Sequence, residues 1–208
     1  MKKLLYLLAL AVALGACHRE SDLKKSIFIP DADDSRLPAY SEWGYNTFGA
    51  HIDDNASIYN DDVLIYNDDF TPLTIAANGS YTEFKFNGSM YDDYRHNEDP
   101  VTLIFRSTSI RPTTAEELIK QNGQIYQLNT SDFEVYLNSG GIPTKLTSVR
   151  GTLTFQRIQR VLVDKKYTEM ILSGYFDLSG SANGNTISIT DGRFDIGVKD
   201  IYNFSYQP

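Results

Sequence analysis

The sequence predicts an all-β protein: a β-sandwich or flattened barrel of about ten antiparallel strands, with one short helix near residues 114–121. From residue 43 onward, apolar and polar residues alternate in short runs, which is typical of strands with one buried face. Asn-Gly pairs lie between several of these runs and supply the positive φ angles that tight hairpins need. Together these patterns favour packed sheets over a helical or mixed fold.

The predicted strands repeat this alternation along the chain. One hairpin spans residues 74–87 and turns at Asn78-Gly79, and a second turns at Asn183-Gly184. In residues 170–178, Met, Leu, Gly, Phe and Leu share one face, opposite mostly polar residues. The other predicted strands cover residues 101–110, 133–137, 151–162, 186–190 and 194–198.

One stretch carries the signals of a helix. Thr113-Thr114-Ala115-Glu116 matches a capping box, in which the Thr113 hydroxyl accepts from the Glu116 amide and Glu116 reaches back. Lys120 suits the last turn, and Asn122-Gly123 provides a left-handed stop. We therefore expect a single short helix that packs onto the sheets.

The N-terminal residues are typical of a secretory signal peptide. Lys2 and Lys3 precede an apolar run over residues 4–14, which is too short for a membrane span of about 20 residues. Leu14-Gly15-Ala16-Cys17 then resembles the bacterial lipobox, in which the cysteine thiol receives a diacylglyceryl group and becomes the first mature residue. The sequence thus predicts a signal peptide over residues 1–16 and a lipid on Cys17.

We divide the mature chain into a lipidated tether, residues 17–40, and a single all-β domain, residues 41–208. The tether is polar, and Pro30 and Pro38 stiffen it. The apolar residues 27–29 could pair with the domain, which would order part of the tether.

Charge and cysteine content exclude several classes of partner. Removal of Lys2 and Lys3 with the signal peptide lowers the formal net charge from −8 to −10. An acidic chain does not suit nucleic acid, nor does it favour the body of the domain lying on anionic lipid. Cys17 is the only cysteine, so lipidation leaves no thiol for a disulfide.

No motif in the chain predicts catalysis. There is no Gly-x-Ser-x-Gly elbow, phosphate-binding glycine loop or dinucleotide fingerprint, and no histidine has a second ligand at zinc spacing. Paired aspartates occur at residues 33–34, 53–54, 61–62, 68–69 and 92–93. Aspartate is common in turns because its side chain accepts hydrogen bonds from the nearby backbone. Calcium binding and a carboxylate-dependent hydrolase stay as alternatives, but we predict no catalytic residue, metal ligand or cofactor.

Aromatic residues are the candidates for ligand binding. Trp43 and Tyr45 cluster where the tether meets the domain, and Tyr59 and Tyr66 lie among acidic turns. Flat exposed rings beside Asp and Asn suit a platform for sugars, although tyrosines also serve ordinary strands.

Three segments carry a family resemblance: Trp43-Gly44-Tyr45-Asn46-Thr47-Phe48-Gly49-Ala50, Ile171-Leu172-Ser173-Gly174-Tyr175-Phe176 and Asp191-Gly192-Arg193-Phe194-Asp195. They resemble small uncharacterised lipoproteins of Bacteroides-type bacteria, which form a domain family of unknown function. The likeness covers residues 43–198. It implies a Gram-negative envelope and an all-β domain, and it carries no activity.

The sequence therefore predicts a lipoprotein of the bacterial cell envelope, held in the outer membrane through Cys17, on either its periplasmic or its surface side. We expect a non-enzymatic binding or scaffold domain that meets a glycan or an envelope protein. A glycan-binding module of the cell surface is the alternative, and a carboxylate-dependent hydrolase is a further one.

Overall fold

A computed structural model describes residues 26–54, 62–65, 71–91, 98–163 and 166–208. In chain order its strands are β1 (Thr47–Asp54), β2 (Asp62–Ile65), β3 (Leu73–Asn78), β4 (Thr82–Tyr91), β5 (Glu98–Ser107), β6 (Gln124–Gln127), β7 (Phe133–Ser139), β8 (Pro143–Lys145), β9 (Thr147–Val163), β10 (Lys166–Ala182), β11 (Asn185–Val198) and β12 (Phe204–Gln207). A 3-10 helix covers Ala115–Gln121, and a four-residue helix, α1, covers Asp200–Asn203.

The strands form a β-sandwich, which confirms the predicted fold class. The first layer has the order β6-β9-β10-β11-β1, and the second contains β12-β3-β4-β5-β7-β8. Strand β2 pairs with both β1 and β4, so hydrogen bonding passes from one layer to the other at this side. The described strands do not close into a barrel.

Phenylalanine rings fill the space between the layers. Phe86 of β4 meets Phe48 of β1, Phe194 of β11 and Phe176 of β10, with ring centroids 5.7, 5.1 and 5.7 Å apart. These four rings are almost completely buried, and each comes from an alternating position of its strand. Edge-to-face and tilted pairs of this kind stabilise a core by about 0.5–1.5 kcal/mol each beyond the area they bury.

Glycine allows one close approach in this core. Gly192 of β11 is the register partner of Phe176 in β10. A Cβ atom at Gly192 would lie 2.3 Å from both Cδ2 and the backbone carbonyl oxygen of Phe176, so a larger residue would displace both the ring and the backbone of β10. The glycine of the Asp191-Gly192-Arg193 segment therefore serves packing between neighbouring strands.

The two Asn-Gly turns form by different means. Asn183 and Gly184 have φ angles of 53° and 87°, so they make the predicted hairpin turn with two left-handed residues. At Asn78 the side chain makes the turn instead, because its Oδ1 accepts the backbone N–H groups of Ser80 and Tyr81.

Two details differ from the sequence prediction. The helix is of the 3-10 type and lacks the capping box, because Glu117 rather than Glu116 accepts from Thr113, at 2.7 Å from its N–H. Strand β12 runs parallel to β3, since α1 turns the chain before it and Asn203 donates to the Leu73 carbonyl. Alternation shows that a strand is half-buried, but it does not fix the direction of its partner.

Candidate functional site: the N-terminal strap

Residues 26–46, here called the strap, lie on the outer face of the first layer. Leu37 and Pro38 cover Gly49 of β1, whose neighbours Phe48 and Ala50 point into the core. A Cβ at Gly49 would lie only 2.5 Å from Cδ of Pro38. Glycine at this position therefore lets the strap approach the sheet closely.

Part of the segment predicted as a tether, residues 17–40, belongs to the strap. The Ile27 N–H donates to the Tyr45 carbonyl at 2.9 Å, and the Ala39 N–H donates to the Ile29 carbonyl at 2.7 Å. From β1 the strap reaches β9, where Gln159 donates to the backbone of Glu42. Residues from 27 onward are thus bonded to the domain, although residues 27–29 keep half-exposed side chains.

Asp195 fixes the last turn of the strap. Its carboxylate accepts the backbone N–H groups of Trp43, Gly44 and Tyr45 at 3.1, 2.8 and 3.1 Å. It also accepts the hydroxyl of Ser41, and it is only 1% exposed. A buried carboxylate is stable only with such partners, so Asp195 and this turn depend on each other.

Ion pairs hold the first half of the strap. Asp31 lies 2.6 Å from Arg193 of β11, and its pKa is lowered mainly by the Asp33 backbone N–H and further by the Arg193 charge. The Arg36 side chain lowers the pKa of Asp34 to about 2. The Asp34 carboxylate also lies 3.1 Å from Nε2 of His51 in β1.

A tyrosine pair joins the middle of the strap to β10. The Tyr40 and Tyr175 rings stack with centroids 4.3 Å apart and planes at 26°. The Tyr40 hydroxyl donates to Glu42 at 3.1 Å, and burial raises the pKa of Tyr40 well above its usual range. Tyr175 is 38% exposed, so one ring of the pair also faces solvent.

Trp43 stands out from this surface. Its side chain is 74% exposed, while its backbone N–H is bound to Asp195. The Tyr40 hydroxyl oxygen lies 3.5 Å from the hydroxyl of Ser173, and Ser173 is the register partner of Asp195, which binds the Trp43 backbone. Tyr40 and the Trp43 backbone are therefore bound to neighbouring residues of β10 and β11. This region combines large rings with carboxylate and amide groups.

Two of the four candidate ligand-binding residues lie on the strap. They are Trp43 and the half-buried Tyr45, whose backbone binds Asp195 and Ile27. Tyr59, Tyr66 and the lipid candidate Cys17 lie outside the described residues. The structure therefore brings together one half of the predicted set.

Two of the aspartate pairs, residues 68–69 and 92–93, lie outside the described residues, as does Asp61 of the pair 61–62. Asp33 and Asp34 lie on the strap, where Asp34 binds Arg36, and Asp53 is exposed near the end of β1. Within the described ranges, no group of three or more histidine, cysteine, aspartate or glutamate residues is placed to hold a metal ion.

The second layer carries a charged row that the sequence did not indicate. Glu83, Arg106 and Glu134 are register partners on β4, β5 and β7. Arg106 makes two bonds to Glu83, at 2.7 and 3.0 Å, and lies over the rings of Tyr81 and Tyr136. Burial raises the pKa of Glu83, but bonds from Lys85 and Arg106 outweigh it, so the net pKa is lowered. Because these charges bind one another, this row stabilises the sheet.

Asp195 belongs to the site, although the sequence did not predict it as a site residue. It lies in the Asp191-Gly192-Arg193-Phe194-Asp195 segment, at an outward position of an alternating strand, where an aspartate normally faces water. The strap that buries it comes from a distant part of the sequence. No local pattern distinguishes this aspartate from an exposed one.

Among the described residues, no helix has the length and apolar character needed to cross a membrane. Comparisons of the chain with protein-family models, with curated proteins and with solved structures found no match.

Proposed function

We propose that this chain is a lipid-anchored protein of the bacterial cell envelope, held in the outer membrane through Cys17, and that its β-sandwich is a non-enzymatic binding or scaffold domain. The anchor is supported by Leu14-Gly15-Ala16-Cys17 after a basic start and an apolar run. Two or three acyl chains on one cysteine give stable attachment where a single chain does not.

The observation that carries the binding role is the placement of Trp43. A tryptophan ring that is 74% exposed leaves a large apolar surface in water. The Asp195 carboxylate holds the backbone on both sides of it, through Trp43 and Tyr45 N–H groups. An exposed ring on a fixed backbone loses less entropy when a partner covers it than a ring on a mobile loop does, which favours binding.

The electrostatics of the strap do not favour its aspartates as general acids. Asp31 and Asp34 have lowered pKa values because they bind N–H groups and arginines. They are therefore ionised at neutral pH, whereas a general acid needs a proton near neutrality. Asp195 uses its oxygens to accept four hydrogen bonds from the strap.

Metabolic labelling tests the anchor. Cells that express the protein would be labelled with a palmitate analogue, beside cells that express Cys17→Ala. We expect label on the wild type, none on the variant, and loss of the variant from the membrane fraction. Equal labelling of both proteins would refute the anchor.

A screen with general glycosidase, esterase, protease and phosphatase substrates tests the non-enzymatic role. We expect no turnover by the purified protein. Turnover that disappears when one carboxylate is replaced, for example in Glu42→Gln, would instead make the chain a carboxylate-dependent hydrolase.

A glycan-binding module is the second candidate function. It is favoured by the stacked pair Tyr40 and Tyr175 in the same region as Trp43, because sugar rings stack on aromatic faces while carboxylates accept their hydroxyl groups. The net charge of −10 after loss of Lys2 and Lys3 suits neutral sugars.

A glycan array tests this second candidate with matched variants. Trp43→Ala removes the exposed ring, and Ile142→Ala removes an 80% exposed apolar side chain from the second layer. Binding that is lost in Trp43→Ala and kept in Ile142→Ala supports a glycan module. If the folded protein binds no glycan on the array, the glycan module is refuted and the scaffold role remains.

A further inference from the structure

The first residues of the strap form a small apolar patch, defined here as Ile27, Phe28 and Ile29. Each of the three side chains is 47% exposed. The backbone of the patch is fixed at both ends, because Ile27 donates to Tyr45 and Ile29 accepts from Ala39. The apolar side chains are therefore held at the surface by ordered backbone bonds.

The patch lies at the start of the described chain, close along the sequence to the predicted lipid. Ile27 follows Cys17 by ten residues. A fully extended chain covers at most about 3.6 Å per residue, so the patch stays within roughly 36 Å of the anchored cysteine. A lipid on Cys17 thus keeps these side chains within reach of the bilayer.

The residues just before this end of the strap are basic, whereas the protein as a whole is acidic. Lys24 and Lys25 precede the patch, with only Ser26 between, in a chain that is acidic overall. Basic residues beside apolar ones favour lipid headgroups. Two of the carboxylates that follow the patch bind partners inside the protein: Asp31 binds Arg193, and Asp34 binds Arg36.

We propose that Ile27, Phe28 and Ile29 insert into the interfacial region of the membrane that holds the lipid, and so fix the orientation of the domain. This inference rests on the proposed lipid anchor. Three side chains are too few for a stable protein interface, which buries about 800 Å² on each partner. A bilayer requires no such area, because the tether already supplies a high effective concentration.

A pair of single-tryptophan reporters tests the proposal. Trp43 is the only tryptophan, so Trp43→Phe gives a silent background. Phe28→Trp places a reporter in the patch, and Ile142→Trp places the matched control on an exposed apolar site of the second layer. Each lipidated mature protein would be put into phosphatidylcholine vesicles whose acyl chains carry bromine.

We expect the reporter at position 28 to lose most of its fluorescence and shift its emission to the blue, because interfacial apolar groups reach about 5–10 Å into the bilayer. The control at position 142 keeps its emission. Equal emission in brominated and plain vesicles at position 28 would overturn the proposal. A β-type far-ultraviolet spectrum for each variant shows that the fold is retained.

The palmitate label on the same preparations separates this failure from failure of the anchor. Labelled protein with an unquenched reporter at position 28 means that the lipid is present and the docking proposal is wrong. Absence of label on the wild type means that the anchor itself is wrong, and docking falls with it.

Discussion

Asp195 Oδ2 accepts the backbone N–H of Trp43 at 3.1 Å, so an almost completely buried carboxylate positions a largely exposed ring. The two residues are 152 positions apart in the sequence. Their contact closes the strap over the first layer and joins the beginning of the described chain to its last long strand. The stability of this surface and its presentation of Trp43 thus have a common origin.

Asp195→Asn should destabilise the domain strongly. The amide has one acceptor oxygen and brings donors toward the N–H groups of Trp43 and Tyr45, so at least one hydrogen bond is lost. We expect a loss of about 2–4 kcal/mol in the free energy of unfolding, measured by urea denaturation. Asp191→Asn is the control, since it makes the same change at an exposed, left-handed position of β11. Equal stability of the two variants would contradict the role of Asp195.

Gly49→Ala should detach part of the strap. The new Cβ would lie 2.5 Å from Cδ of Pro38, whereas a Cβ at Gly79 would meet nothing within 4 Å. We expect Gly49→Ala to lower the free energy of unfolding by about 1–3 kcal/mol and to speed proteolysis within residues 26–46. Gly79→Ala should leave both unchanged. If Gly49→Ala resists proteolysis as well as the wild type does, the strap does not pack closely against β1.

The contribution of Asp34 should depend on pH in a defined window. Its folded pKa of about 2 lies below its ordinary value of 3.8, mainly because of Arg36. A lowered pKa gives stability that is fully present above about pH 4 and is lost as the pH falls through about 2. We expect the wild type to exceed Asp34→Asn by about 1 kcal/mol at pH 7. The gap should shrink between pH 4 and 2, and a constant gap in denaturation midpoints would contradict this.

Arg106→Ala should destabilise the second layer. It removes the two bonds to Glu83, a residue with little exposure, and leaves that carboxylate with Lys85 alone. We expect a loss of about 2–4 kcal/mol on thermal unfolding, as for other pairs broken by removal of one partner. Arg150→Ala, at an exposed position of β9, serves as the control and should stay close to the wild type.

The layers could be predicted from the sequence because alternation reports directly on strands with one buried face. Phe194 and Ile196 have neighbours on the outer face, and both enter the core as that pattern implies. The strap could not be predicted in this way. Its polar sequence is that of a tether, and its contacts, such as Asp31 with Arg193, join residues far apart in the chain.

For the same reason, only part of the candidate site could be predicted from the sequence. Trp43 is conspicuous in the sequence as the single tryptophan, next to Tyr45. Its partner Asp195 and the ring pair of Tyr40 with Tyr175 depend on how the strap lies over β10 and β11. Such pairings arise from tertiary packing, which overrides what local composition indicates.

Collisional quenching by acrylamide in the purified protein shows whether Trp43 is presented to solvent as a binding surface requires, because this residue is the sole source of tryptophan emission. We expect emission near that of a water-exposed indole and strong quenching, because Trp43 is 74% exposed. A blue-shifted emission that acrylamide does not quench would place Trp43 inside the fold and contradict a binding surface built around it.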